Sequence, residues 1–150
     1  MKNRSRAAAL AATLVLMPAY PLPALAQSGM NAMFAPVAEL KWVGAGVPGV
    51  STAVVRGDMA KSASHFFLKY ASGFVAPVHH HSPDHYATTV TGNLVLIVDG
   101  KEHRLAPGSY FAFTGRAQHG ARCEGAQDCV MFIDARGPWD VVVAKPKGEK

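Results

Sequence analysis

Residues 73–92 read GFVAPVHHHSPDHYATTVTG, with histidines at 79, 80, 81 and 85 framed by Gly73 and Gly92. In an extended strand, residues two apart share a side, so His79 and His81 project together and His80 points the other way. Ser82-Pro83-Asp84 is a turn-forming tripeptide that folds the next strand back beside the first and delivers His85. A separate strand-like stretch, behind Pro107-Gly108, contributes His119. Neutral imidazole is a common ligand for transition metals, and rings converging from neighbouring strands make a metal site. On its own, the triple histidine would also suit a solvated loop or adventitious tag-type binding. Its agreement with His85, the framing glycines and the His119 block predicts a built site of His79, His81, His85 and His119. The remaining histidines read as surface groups. His80 faces solvent, His103 sits in the charged run Lys101-Glu102-His103-Arg104, and His65 shares parity with Lys69.

Outward from this stretch, the chain is a series of short apolar runs separated by turn signals. Strands are predicted at residues 51–55, 65–70, 77–81, 85–91, 93–98, 102–105, 109–113, 119–123, 130–134 and 141–143. Asp99-Gly100 is a strong two-residue hairpin signal. Residues 44–49 are rich in glycine and proline and read as a loop. Arg56-Gly57-Asp58 reads as a plain turn. No segment outside the N-terminus holds a helical period, and there are no internal repeats. Many short strands at this spacing predict an antiparallel sandwich or barrel.

The first residues belong to a different category. Lys2, Arg4 and Arg6 precede an apolar run from Ala7 to Leu16, and Ala24-Leu25-Ala26 forms a small-residue cleavage site. Pro18, Pro21 and Pro23 interrupt the run, so it reads as a signal peptide over residues 1–26 rather than a membrane span. The expected product is exported to a bacterial-type periplasm or secreted. It comprises an arm at 27–41, one domain at 42–143 and a basic tail at 144–150. Cleavage would leave twelve basic residues against ten acidic ones, a net charge of +2 rather than +5. No basic stripe with interleaved aromatics exists, which argues against a nucleic-acid partner.

In an oxidising compartment the two cysteines, Cys123 and Cys129, are expected to form a disulfide across the polar turn Glu124–Asp128. Closing so small a loop contributes about 2 kcal/mol in the chain-entropy model. The spacing suggests that the pair sits on the two arms of a hairpin. Cys123 lies four residues beyond His119, on the same side of a regular strand, which keeps a redox role open beside the structural one.

Residues 73–92 resemble the first cupin motif, and residues 108–123 resemble the second. The likeness covers roughly residues 42–143. More narrowly, the chain is similar to secreted cupins related to the metal-binding output domain of ChrR-type anti-sigma factors. Gly57-Asp58, Gly73-Phe74, Leu105-x-Pro107-Gly108-Ser109-Tyr110 and Gly137-Pro138-Trp139 carry that resemblance. It implies an all-β, antiparallel jelly-roll β-barrel of six to eleven strands, metal inside its wider mouth, and often a homodimer. The pattern departs where His85 replaces the usual glutamate, Thr114 a proline, Arg116 a glycine and Cys123 an asparagine. An all-histidine set is similar to small manganese cupins with four imidazole ligands, and diketone-cleaving dioxygenases of the superfamily use three histidines without a carboxylate. The resemblance thus also implies His79, His81, His85 and His119 as ligands.

Four neutral imidazoles leave a divalent ion its full charge, which strengthens attraction for anionic oxygen ligands in a desolvated site. On an octahedral ion, positions would remain for a substrate oxygen and dioxygen. The sequence therefore predicts a metal-dependent oxygenase of the dioxygenase type, holding one divalent transition metal per chain. Manganese or iron is favoured; nickel, copper and zinc also suit imidazole. The substrate is expected to be a small organic molecule that chelates through oxygen. Phe66, Leu68, Tyr70, Tyr86, Phe111, Phe113 and Phe132 are candidate pocket walls, although alternation turns Tyr86 away from the metal. Asp84 is expected to cap the strand crossing, and neither motif carries an obvious carboxylate base. The alternative from another class is a non-catalytic cupin that binds or senses a metal or small ligand. Isomerase or lyase chemistry without oxygen is a third reading.

Overall fold

Strict alternation in the middle strands decides which faces meet. In the computed structural model, which describes residues 32–145, Phe66, Leu68 and Tyr70 are buried and their strand neighbours only partly so. The same rhythm buries Met131 and Ile133, and buries His85, Ala87 and Thr89. Apolar side chains on every second residue can be covered only by a facing layer. The predicted signal segment lies outside the described residues, as do residues 146–150 of the basic tail.

After a 3-10 turn at Val37–Glu39, eleven strands follow among the described residues. They are β1 (Val43–Gly44), β2 (Val50–Gly57), β3 (Ser64–Tyr70), β4 (Val75–His80), β5 (His85–Thr91) and β6 (Asn93–Val98). The chain continues as β7 (Lys101–Leu105), β8 (Tyr110–Phe113), β9 (His119–Glu124), β10 (Cys129–Ala135) and β11 (Val142–Val143). One sheet has the order β1-β2-β3-β10-β5-β8 and the other β11-β4-β9-β6-β7. Every pairing is antiparallel. No helix among the described residues is long and apolar enough to cross a membrane.

The expected closed barrel is not what forms. Each sheet keeps two edges, β1 and β8 in one and β11 and β7 in the other, and no ladder joins them. The physical reason lies in the connections: chain segments cross from sheet to sheet without pairing edge to edge. The architecture is an open two-sheet antiparallel sandwich, packed face to face around Phe66, Leu68, Leu94, Leu96, Met131 and Ile133.

Three local readings are also settled. Asp99-Gly100 closes a two-residue hairpin, Val98 opposite Lys101, with both turn residues at positive φ (49° and 76°). The 44–49 region, read as loop, begins inside a short edge strand, because a turn at Val47–Val50 lays Val43-Gly44 against Ser51-Thr52. The two cysteines do not sit on paired hairpin arms. They are joined in the structure, but β9 and β10 belong to different sheets, so the bridge Cys123–Cys129 staples the two layers together at the buried end of the core.

Gly92 and Arg116 are two backbone positions with opposite consequences. Gly92 turns β5 into β6 at φ 78°, and a Cβ there would meet the Asp128 carbonyl at 2.6 Å and Cys129 Cα at 2.7 Å. Arg116, standing where glycine is common in the resembled motif, adopts φ 66°. Left-handed backbone costs an ordinary residue about 1–2 kcal/mol, partly offset in the comparison by glycine's extra chain entropy. Gly92→Ala is expected to destabilise the protein by about 3 kcal/mol, while Arg116→Gly should stabilise it by about 0.5 kcal/mol. Urea unfolding midpoints check both, and a neutral Gly92→Ala would contradict the close approach.

Candidate metal centre

A β-bulge builds the first half of the site. Pairing of β4 with β9 slips between Ala76 and His79, so Ala76 and His79 are both buried although an even spacing would be needed in a regular strand. Pro77, which has no N–H to lose, sits in the slip. Its carbonyl is left to accept a hydrogen bond from His79 Nδ1 at 2.8 Å. On β9, paired directly opposite His79, His119 Nδ1 donates to the carbonyl of Ala117 at 3.0 Å. His81 follows the end of β4 and donates from Nδ1 to the carbonyl of Asp140 at 2.5 Å. A carbonyl can only accept, so each of these rings carries its proton on Nδ1 and presents a lone pair on Nε2.

These three rings form the metal-competent group. One ring nitrogen from each lies within 4.8 Å of the others, and all three residues are buried. The group has three members where four were expected. His85, carried on β5 of the opposite sheet, is buried beside it, with its ring centroid 4.9 Å from that of His81 and 6.0 Å from that of His119. Distance along the β5 edge of the cluster leaves it outside the common set. Its Nδ1 is buried and has no hydrogen-bond partner. His80, read as solvent-facing, is half-buried, and its Nδ1 is likewise covered and unpartnered.

Electrostatics favour the ligand form of every ring. Burial, outweighing the favourable bond to Asp140 and aided by neighbouring histidines, pushes the His81 pKa down to about 3. Burial also takes His119 to about 4 against the bond to Ala117, and lowers His79 and His85. The imidazoles are therefore neutral at physiological pH, the state that binds a metal. These residues fit a transition-metal ion: soft-to-borderline nitrogen donors, oriented, deprotonated and close together.

A strap from the C-terminal end of β10 holds this geometry from outside. Trp139 stacks on His81 with ring centroids 3.8 Å apart and meets His85 and Phe66 edge-on. The next residue, Asp140, binds Ser82 through both carboxylate oxygens, one to the backbone N–H and one to the hydroxyl, each at 2.6 Å. Burial opposes ionisation of Asp140, but the two Ser82 bonds prevail and lower its pKa. Asp84 ties the same turn to Gly115 at 2.6 Å, in keeping with a cap on the strand crossing. Phe113 stacks on His119 at 4.1 Å.

Beside the rings lies a cavity of about 500 Å³ whose walls include His79, His81, Leu68, Tyr70, Trp139 and Asp140. A small void of about 20 Å³ reaches His81, His85, His119 and Phe111. Of the expected wall residues, Leu68, Tyr70 and Phe111 line these spaces, whereas Phe66 and Phe113 pack as core around the rings. Tyr86 and Phe132 stand on the outer face, against Arg136 and Phe67 respectively, because their strand parity turns them outward. Trp139, Asp140 and Ser82 were not singled out as site residues. The Gly137-Pro138 turn was the available signal that the chain folds back there.

The model for the cupin domain matches residues 66–135. Among solved structures, KdgF from Halomonas sp. is 22% identical with a TM-score of 0.59, over 71% of this chain and 94% of its own. The polyketide cyclase RemF from Streptomyces resistomycificus is 17% identical with a TM-score of 0.61, over 77% of this chain and 89% of its own. The DMSP lyase DddQ from Ruegeria pomeroyi DSS-3 is 19% identical with a TM-score of 0.60, over 75% and 64% respectively. No curated protein matches the sequence.

Two predictions follow from the rings and the strap. Asp140→Ala, which frees the segment whose carbonyl holds His81, should weaken metal affinity about tenfold, as read by competition with a chelating dye. In the chelated protein, the depressed imidazole pKa values mean that the unfolded chain takes up protons below pH 6.5 that the fold does not. Its stability should therefore be full above pH 6.5 and fall as pH drops toward about 4. A urea midpoint that stays flat over that window would contradict the buried neutral cluster. The chain has a cupin-superfamily fold, with three buried histidines placed to hold a metal ion.

Proposed function

We propose that this chain is an exported, metal-dependent oxygenase acting on a small organic substrate that binds the metal through oxygen. The observation that carries this reading is the union of three oriented, neutral imidazoles with an adjoining apolar cavity. His79, His81 and His119 would hold one divalent transition ion, manganese or iron in preference to nickel, copper or zinc, with His85 as a flanking donor through its unpaired ring. Bound there, such an ion supplies Lewis acidity and access to dioxygen chemistry.

The chain's own residues supply the rest. The Pro77, Ala117 and Asp140 carbonyls hold the rings in one tautomer, so little reorganisation is needed on binding. Trp139, Leu68 and Tyr70 wall the substrate space with largely apolar surface. Burial pushes the Tyr70 pKa up to about 12, so its phenol stays protonated and can only present a neutral hydroxyl. Export and the ChrR-like and manganese-cupin affinities remain part of this proposal, resting on the N-terminal segment and the motif spacing.

A second reading, a binding or sensing module without turnover, draws on one specific feature. Among the described residues, the one carboxylate in the cavity wall is Asp140, and it is occupied by Ser82, so this lining holds no free carboxylate base. The deciding experiment pairs metal analysis with oxygen uptake on diketones, phenols and hydroxy acids. His119→Ala is expected to drop bound metal from about one per chain to below about a tenth, and His85→Ala to weaken it about tenfold. Metal-dependent oxygen uptake supports the oxygenase; stoichiometric metal without turnover on any of these classes supports the binding module. Undiminished metal in His119→Ala would overturn both.

A further inference from the structure

The cavity walls are apolar almost everywhere the histidines are not. Val47, Val50, Met59, Leu68, Phe74 and Val143 make up much of the lining, and no lysine or arginine among the described residues contributes to it. The ionisable groups present are His79, His81, Tyr70 and Asp140. Both carboxylate oxygens of Asp140 are engaged by Ser82, through its backbone N–H and its hydroxyl. Apart from the imidazole end, the described lining therefore offers an anion no compensating cation. A buried charge without a partner is strongly disfavoured, whereas each apolar group placed against such walls adds affinity.

From this we infer the substrate class of the proposed metal site: a compact molecule with a single oxygen-donor head, anionic at most once, and an uncharged apolar body. Phosphorylated sugars, polycarboxylates and other molecules with a second anionic group are refused by the wall rather than by the metal. The inference rests on the metal reading for the head of the substrate, and on the cavity lining alone for its body. A volume of about 500 Å³ leaves ample room for a substituted ring or a branched chain beyond that head.

Salicylate and 5-sulfosalicylate test it, because they share one oxygen head and differ by a distal sulfonate. Protein loaded with Mn²⁺, its metal content measured before and after titration, is titrated with each by calorimetry. Salicylate is expected to bind at least about tenfold more tightly than its sulfonated counterpart. A cation introduced at the half-exposed rim by Val47→Arg should narrow that gap without loss of salicylate binding. Equal affinities, a preference for the sulfonate, a gap unmoved by Val47→Arg, or no salicylate binding to metal-loaded protein would each overturn the proposal. Failure to take up metal would sink the metal reading instead, and the ranking of the two probes on metal-free protein would still decide this one.

Discussion

Three hydrogen bonds from imidazole Nδ1 to backbone carbonyls organise this molecule. Pro77, Ala117 and Asp140 each accept one, from His79, His119 and His81. A backbone carbonyl cannot rotate away or change protonation, so the tautomer of each ring is set by the main chain itself. The acceptors come from a bulge, a loop entry and a crossover strap, three places where the backbone has left its regular ladder. Irregular backbone next to regular sheet is what frees a carbonyl for this use. Burial then keeps the rings neutral, so the cluster is both oriented and deprotonated before any ligand arrives.

The two-sheet arrangement explains why the cluster has a cavity beside it. An open sandwich with edges at β1 and β11 leaves space between the layers where a closed wall would fill it. The disulfide at the far end joins β9 to β10 across the layers, limiting how far the sheets can separate there. The strap after β10 does the corresponding work near the rings. It stacks Trp139 on His81, clamps Ser82 through Asp140, and then pairs Val142 and Val143 with His80 and His79. Cavity wall and metal-competent rings therefore share one segment.

Parts of this were legible in the chain. The Asp99-Gly100 turn was readable because two consecutive residues at positive φ demand those residue types. The burial of His79, His81, His85 and His119 was readable from spacing and motif. Three features were not. The closed barrel fails because closure depends on whether edges meet, which no local pattern encodes. The hairpin reading of Cys123 and Cys129 fails because a short turn between strands looks the same whether it returns within a sheet or crosses to another. Strict alternation along residues 77–81 also gave the right partners for an incomplete reason, since the bulge, not parity, lets Ala76 and His79 share the interior.

By itself, the amino-acid order determined the strand content, the histidine inventory and the chemical class of the site. Those follow from residue type and short-range spacing, which act over a few residues. Only the tertiary structure decided that three imidazoles rather than four share one locus, that Trp139 and Asp140 brace them, and that no lysine or arginine among the described residues lines the adjoining space. Each of these depends on segments far apart in the chain meeting in space, 59 residues for His81 and Asp140 and 58 for Ser82 and Asp140, and that meeting is set by how whole sheets pack rather than by any local signal.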